Sequence, residues 1–96
     1  MKKQQALELL TKSKTLLQEK YGVTKLALFG STARDTATEK SDIDILITFQ
    51  GKADSKKYFG VLFYLEDLLN CPVDLITETS LRPELQPYID AEKIDV

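Results

Sequence analysis

The chain has no histidine, a single cysteine and no long apolar run among its 96 residues. Without histidine it lacks the commonest general base, most zinc ligand sets and every Ser-His or Cys-His nucleophile pair. With Cys71 alone, no internal disulfide can form, and a reducing compartment fits. The N-terminal stretch MKKQQALELLTKSK lacks the continuous apolar core of a signal peptide, and YFGVLFYL is too short to span a bilayer. A cytoplasmic setting with no membrane partner is therefore expected. Repeats, low-complexity tracts and linkers are also missing, so residues 1–96 are expected to form one domain with one core. Charge is unevenly spread, although the net value is only −2. Residues 1–25 carry six lysines against two glutamates, while residues 26–96 carry seven basic and thirteen acidic side chains. No broad basic stripe exists for direct nucleic-acid binding. An acidic excess suits a site built from carboxylates.

Periodicity gives the elements. QQALELLTKSKTLLQEKYG sets Leu7, Leu10, Leu17 and Tyr21 on one helical face, with Gly22 as the stop. TKLALFG predicts a short strand and STARDT a brief helical turn capped by Ser31 or Thr32. SDIDILITF predicts a second strand. ADSKKYFGVLFYLEDLLN predicts a helix opened by Asp54 or Ser55 and closed by Asn70 and Pro72. PVDLIT predicts a third strand, and the tail allows one more short helix, interrupted by Pro83 and Pro87. More than twenty residues with a helix separate strands two and three, the length of a parallel crossover. Strands one and two, about twelve residues apart, are more easily antiparallel. The fold class is thus α/β, with a mixed three-stranded sheet and helices. In that topology Gly30, Ser31, Asp42, Asp44 and Asp74 meet at one sheet edge.

Carboxylates are poorly tolerated in strands, so three of them at one edge call for a chemical reason. Asp42 and Asp44, two residues apart, are expected to share a face of the strand, followed by Leu46. Asp74, flanked by Val73, Leu75 and Ile76, is expected to be buried and to bear a desolvation penalty. Oxygen-only donors favour a hard ion such as Mg²⁺. Three such carboxylates can hold two ions about 3.5–4 Å apart for in-line phosphoryl displacement. Gly30 lets the backbone approach a ligand, and the helix start after it presents N–H groups to an anion. Ser31 adds a donor, and Arg34, one turn on, can reach a phosphate oxygen. GSTARDTA is neither a Walker loop nor G-x-G-x-x-G.

Each residue also has a plainer reading. Asp42 and Asp44 can cap a turn, Asp74 can accept backbone N–H groups, and Gly30-Ser31 can be a simple strand-to-helix turn. Arg34 can pair with Asp35 or Glu39. Cys71, before Pro72, is expected to be inert. The long helix carries Tyr58, Phe59, Val61, Leu62, Phe63, Tyr64, Leu65, Leu68 and Leu69, an arc wider than one sheet face needs. Core packing accounts for most of it, and a partner surface for the excess.

The spaced pattern Gly-Ser, Asp-x-Asp and a later lone Asp resembles the nucleotidyltransferase superfamily that includes the polymerase-β palm. LFGSTARDTATEKSDIDILI, VDLIT and LRPELQPYIDAEKIDV are most similar to its minimal single-domain members, the MNT-type antitoxins found beside HEPN-domain toxins. The resemblance covers roughly residues 20–96. It implies a palm-like nucleotidyltransferase fold and a Mg²⁺-dependent transfer of AMP from ATP to a tyrosine hydroxyl of the toxin. Asp42, Asp44 and Asp74 would be the metal-binding and catalytic residues, with Gly30, Ser31 and Arg34 on the β- and γ-phosphates. With no room for an acceptor domain, the acceptor surface would come from the HEPN-type partner in a hetero-oligomer. The alternative is an antitoxin that neutralises by binding alone. Asp35 is a departure from the resemblance, since many members have a small residue, usually glycine, at that place. Facing inward it would oppose nucleotide binding; facing outward it would matter little.

Overall fold

The computed structural model describes residues 1–38 and 40–96. Its elements are α1 (Lys3–Tyr21), β1 (Val23–Phe29), α2 (Gly30–Ala33), β2 (Ile43–Phe49), α3 (Ser55–Leu69) and β3 (Val73–Thr77). A 3₁₀ turn (Glu78–Ser80), α4 (Gln86–Glu92) and β4 (Ile94–Asp95) follow. In α1 the buried side chains are Ala6, Leu10, Ser13 and Leu17, one stripe at helical spacing. The helix closes where Gly22 turns left-handed and its N–H reaches the carbonyls of Gln18 and Leu17. Helix α3 begins where the Asp54 carboxylate accepts the Lys57 N–H at 2.8 Å, and ends at Asn70, itself left-handed. Both ends of α3 fall where the sequence places them.

The sheet order is β3-β2-β1-β4. β1 and β2 are antiparallel and β2 and β3 parallel, as the connection lengths require. The sheet has four strands rather than three, because Ile94–Asp95 pairs antiparallel with Ala27 and Leu28 of β1. Two residues are too few to show alternation, and only the tertiary contact defines them as a strand. In the tail, Pro87 lies in the first turn of α4, where its missing N–H removes no helical bond; it starts the helix instead of interrupting it.

Alternation along β2 divides its side chains between two faces. Ile43, Ile45, Ile47 and Phe49 enter the main core with Leu10 and Leu17 of α1 and Val61 and Leu65 of α3. Each fully buried aliphatic side chain there contributes about 1.5–3 kcal/mol. Leu46 on the other face joins Ala27, Phe29 and Ile89 in a smaller cluster beneath α4. The edge strand β3 is closed by α3 side chains: Glu66 accepts the Val73 N–H at 3.2 Å, and the Tyr58 hydroxyl donates to the Leu75 carbonyl at 2.6 Å. Among the described residues, no helix is long and apolar enough to cross a membrane.

Candidate active site

The register puts Phe29 opposite Asp44 and Asp44 beside Asp74, so one row crosses the last residue of β1 and both aspartates. Gly30 follows Phe29 directly. Its φ of +73° is in the left-handed region, and a Cβ built there would fall 2.0 Å from the Asp44 Oδ2. Only glycine fits, because the backbone packs against the carboxylate itself. Asp42 lies one residue before β2 begins and is exposed. The Ile43 N–H donates to the Pro72 carbonyl at 3.0 Å, tying the head of β2 to the segment that leads into β3.

Burial is distributed differently from the sequence expectation. Asp74 is exposed: its neighbours Val73 and Leu75 enter the main core, so by alternation it faces the other side of the sheet, and the predicted desolvation penalty is not there. It falls on Asp44, the half-buried member of the row. The Asp44 carboxyl is pushed up to about 6, first by burial, then by the Asp74 charge, hydrogen bonding to Asp74 and the Asp42 charge, against the lowering effect of Arg34. These dependences bring Asp42, Asp44, Asp74 and Arg34 into one electrostatic neighbourhood. Burial also raises the Tyr58 phenol, and Asp74 adds to the effect. The Cys71 thiol is held up mainly by burial, in keeping with an inert residue.

Helix α2 begins at Gly30 with Phe29 as its cap residue, and no side chain caps it. Ser31 and Thr32 are therefore inside the turn rather than at its cap. The amides at its start have no intrahelical acceptor. Thr32 is buried, and among the described residues its hydroxyl has no partner. Arg34 pairs with Glu92 of α4, through Nη1 to both carboxylate oxygens, and not with Asp35. The other expected partner, Glu39, lies outside the described residues. Glu92 is the residue that sequence reasoning missed: it is 58 positions from Arg34, and no local pattern signals the pair.

Asp35 is exposed, with φ of +59°, a left-handed conformation that glycine adopts more readily than other residues. Its carboxylate accepts the Lys3 N–H at 3.1 Å, at the start of α1, where a helix favours negative charge. It serves as a distant cap for that helix.

Among the described residues, no three acidic or thiol side chains stand close enough to form a ready-made metal cage. The all-oxygen donor set of the row is still the kind that suits a hard divalent cation, and the elevated Asp44 pKa marks negative charge that such an ion would offset. A concavity of about 890 Å³ lies elsewhere, at the far end of β2 and β3, with Tyr58, Phe59, Ile76, Leu81 and Leu85 in its wall. It is mostly apolar and none of the three aspartates lines it, so its size does not locate the phosphate chemistry. Of the wide arc on α3, Val61, Leu65 and Leu69 are buried, and Phe59 and Phe63 remain exposed, stacked with centroids 6.0 Å apart.

Residues 10–96 match the family model for the nucleotidyltransferase domain. A Methanocaldococcus jannaschii protein, provisionally named a protein adenylyltransferase, is 46% identical over 82 residues, 85% of this chain and 81% of its own. The protein adenylyltransferase MntA of Thermococcus cleftensis is 40% identical over 88 residues, covering 92% of this chain and 89% of its own. Among solved structures, a minimal nucleotidyltransferase superposes with a TM-score of 0.84 at 29% identity, over 100% of this chain and 97% of that one. A tri-AMPylated Shewanella oneidensis HEPN toxin in complex with MNT antitoxin has a TM-score of 0.68 at 21% identity, over 94% of this chain and 70% of that one. At that identity the likeness is one of fold.

Proposed function

The chain belongs to the nucleotidyltransferase domain family, and from that premise we propose that it moves AMP from ATP to a tyrosine hydroxyl of a HEPN-type toxin, acting as its antitoxin. Residues 1–96 are read as one minimal catalytic domain working in the cytoplasm. The observation that carries the reading is the Asp44–Asp74 row with Gly30 packed against the Asp44 carboxylate. Adenylyltransferase names among relatives at 40–46% identity, and an AMPylated toxin beside an antitoxin of similar fold, support the same reaction.

Asp42, Asp44 and Asp74 are the residues that would hold Mg²⁺, two ions in this reading. When bound, the metal supplies neutralisation of phosphate charge and polarisation of the phosphoryl oxygens. The protein's own groups do the rest. Amides at the Gly30-Ser31 turn and the Ser31 hydroxyl donate to the β- and γ-phosphates, and Arg34 adds a charge-assisted donor. Asp74, exposed at the row's end, is open to an incoming hydroxyl and takes its proton. The acceptor oxygen bonds to the α-phosphorus as the bridge to the β-phosphate breaks, and pyrophosphate leaves with the electron pair. Asp35, occupied at the head of α1, does not oppose the nucleotide from within the site. Phe59 and Phe63 offer an apolar contact for the partner.

The test is to incubate the chain with ATP, Mg²⁺ and a HEPN-type partner from the neighbouring reading frame, then weigh the partner intact. One or more adenylyl additions are expected, with none from Asp44→Asn. A partner of unmodified mass, neutralised only while bound and released active, would establish inhibition by contact alone.

A further inference from the structure

Arg34 is the only arginine in the loop between β1 and β2, and it is held in place. Its Nη1 donates to Glu92 Oε1 and, at 3.2 Å, to Oε2. Among the described residues, the remaining guanidinium nitrogens make no hydrogen bond, and the Arg34 side chain is 54% exposed against 29% for Glu92. Among the described residues, one corner of the fork is gripped while Nη2 and Nε have no partner.

Glu92 is itself well anchored. It ends α4, whose Ile89 is buried against Ala27, Phe29 and Leu46 on the face of the sheet that carries Asp44. Lys93 donates its N–H to the Ile89 carbonyl at 2.8 Å, and Ile94 and Asp95 then join β1 opposite Leu28 and Ala27. Packing on one side and strand pairing on the other thus fix the backbone that carries Glu92. Arg34 closes the one-turn helix that begins at Gly30, the residue packed against the Asp44 carboxylate.

We propose that Glu92 is a positioning residue for nucleotide transfer: it pins one nitrogen of Arg34 so that the free edge of the guanidinium faces the nucleotide's polyphosphate. This deepens the nucleotidyltransferase reading and rests on it. A planar guanidinium binds phosphate best through a pre-oriented edge, since less rotamer freedom is then lost on binding. The opposite possibility is a latch, in which Glu92 competes with phosphate for Arg34. The two differ in sign. Removing a positioning group weakens nucleotide binding, whereas removing a latch strengthens it.

The experiment compares wild type, Glu92→Gln, Arg34→Ala, Arg34→Lys and the Arg34→Ala/Glu92→Gln double variant in adenylyl transfer to the partner. It also measures calorimetric binding of a non-hydrolysable ATP analogue with Mg²⁺, and thermal midpoints to confirm folding. Glu92→Gln is expected to raise the KM for ATP roughly 5- to 20-fold with kcat within about twofold, the pattern of lost binding rather than lost chemistry. In the Arg34→Ala background the Glu92→Gln change should add less than about twofold, because the two act as one unit. Arg34→Lys, which keeps the charge and loses the fork, should also weaken binding. It tests the idea from the other side if Glu92→Gln does not fold. An unchanged or lowered KM in folded Glu92→Gln, or equal effects of that change with and without Arg34, overturns the proposal while leaving the transferase intact. A wild-type chain that neither binds the analogue nor transfers AMP overturns both.

Discussion

Replacing Asp44 by Asn removes a charge that the folded site opposes, and should stabilise the metal-free protein at neutral pH. The native Asp44 carboxyl titrates at about 6 against an ordinary value of 3.8, raised first by burial and then by Asp74 and Asp42. In the unfolded chain those influences are absent. Between the two pKa values the native state holds a proton that the unfolded state has released, so stability falls as pH rises from about 4 through 6 and is level above. Two pKa units correspond to about 3 kcal/mol at full strength. Asp44 is only half-buried, so solvent screening reduces this to about 1–1.5 kcal/mol. For a chain of this size that is roughly a 5–10 °C rise in the midpoint for Asp44→Asn. Urea unfolding in EDTA at pH 4 and pH 7.5 measures it. The variant should exceed wild type at pH 7.5 and match it near pH 4, and Mg²⁺ should narrow the gap by stabilising wild type alone. A variant less stable than wild type at pH 7.5, or a difference independent of pH, would falsify the reasoning. It would make Asp44 a hydrogen-bonded structural residue. Asp74→Asn is the contrast: at an exposed position it should change stability by less than about 0.5 kcal/mol.

Gly30→Ala places a methyl group 2.0 Å from the Asp44 Oδ2 at a left-handed backbone position. The carboxylate can swing aside, so we expect a stability loss of about 1–2 kcal/mol but abolition of transfer, read by unfolding and the mass assay. At Asp35, glycine relieves the backbone and loses the α1 cap, while alanine loses the cap and keeps the strain. Asp35→Ala should therefore be the less stable of the two by about 1 kcal/mol in denaturant melts. Neither variant should change the KM for ATP.

Much of this was legible because it is local. Asp54 and Asn70 bound α3 through their own chemistry, and the spacing of apolar residues along β2 put Ile43, Ile45 and Ile47 on the core side. Connection lengths alone gave the strand directions that bring Gly30, Asp44 and Asp74 to one end. What escaped depends on distance in the chain or on solvent. Strand β4 exists only because α4 returns it to β1, and Glu92 meets Arg34 across the same return. Asp74, in a hydrophobic stretch, reads as buried, whereas alternation with the core residues Val73 and Leu75 turns it to the exposed face of the strand.

The side chains of Glu66 and Tyr58 that occupy main-chain groups of β3 have a bearing on recognition. An uncovered edge is indiscriminate, since any extended segment supplies the same N–H and C=O groups, and it invites self-association when a chain outnumbers its partner. With these two positions already filled, the edge is a poor template for an added strand. In the proposed complex, exposed side chains such as Phe59 and Phe63 would then carry the contact, where shape and residue identity decide. A cognate partner can be distinguished there from a near relative, and surplus copies have less reason to coalesce.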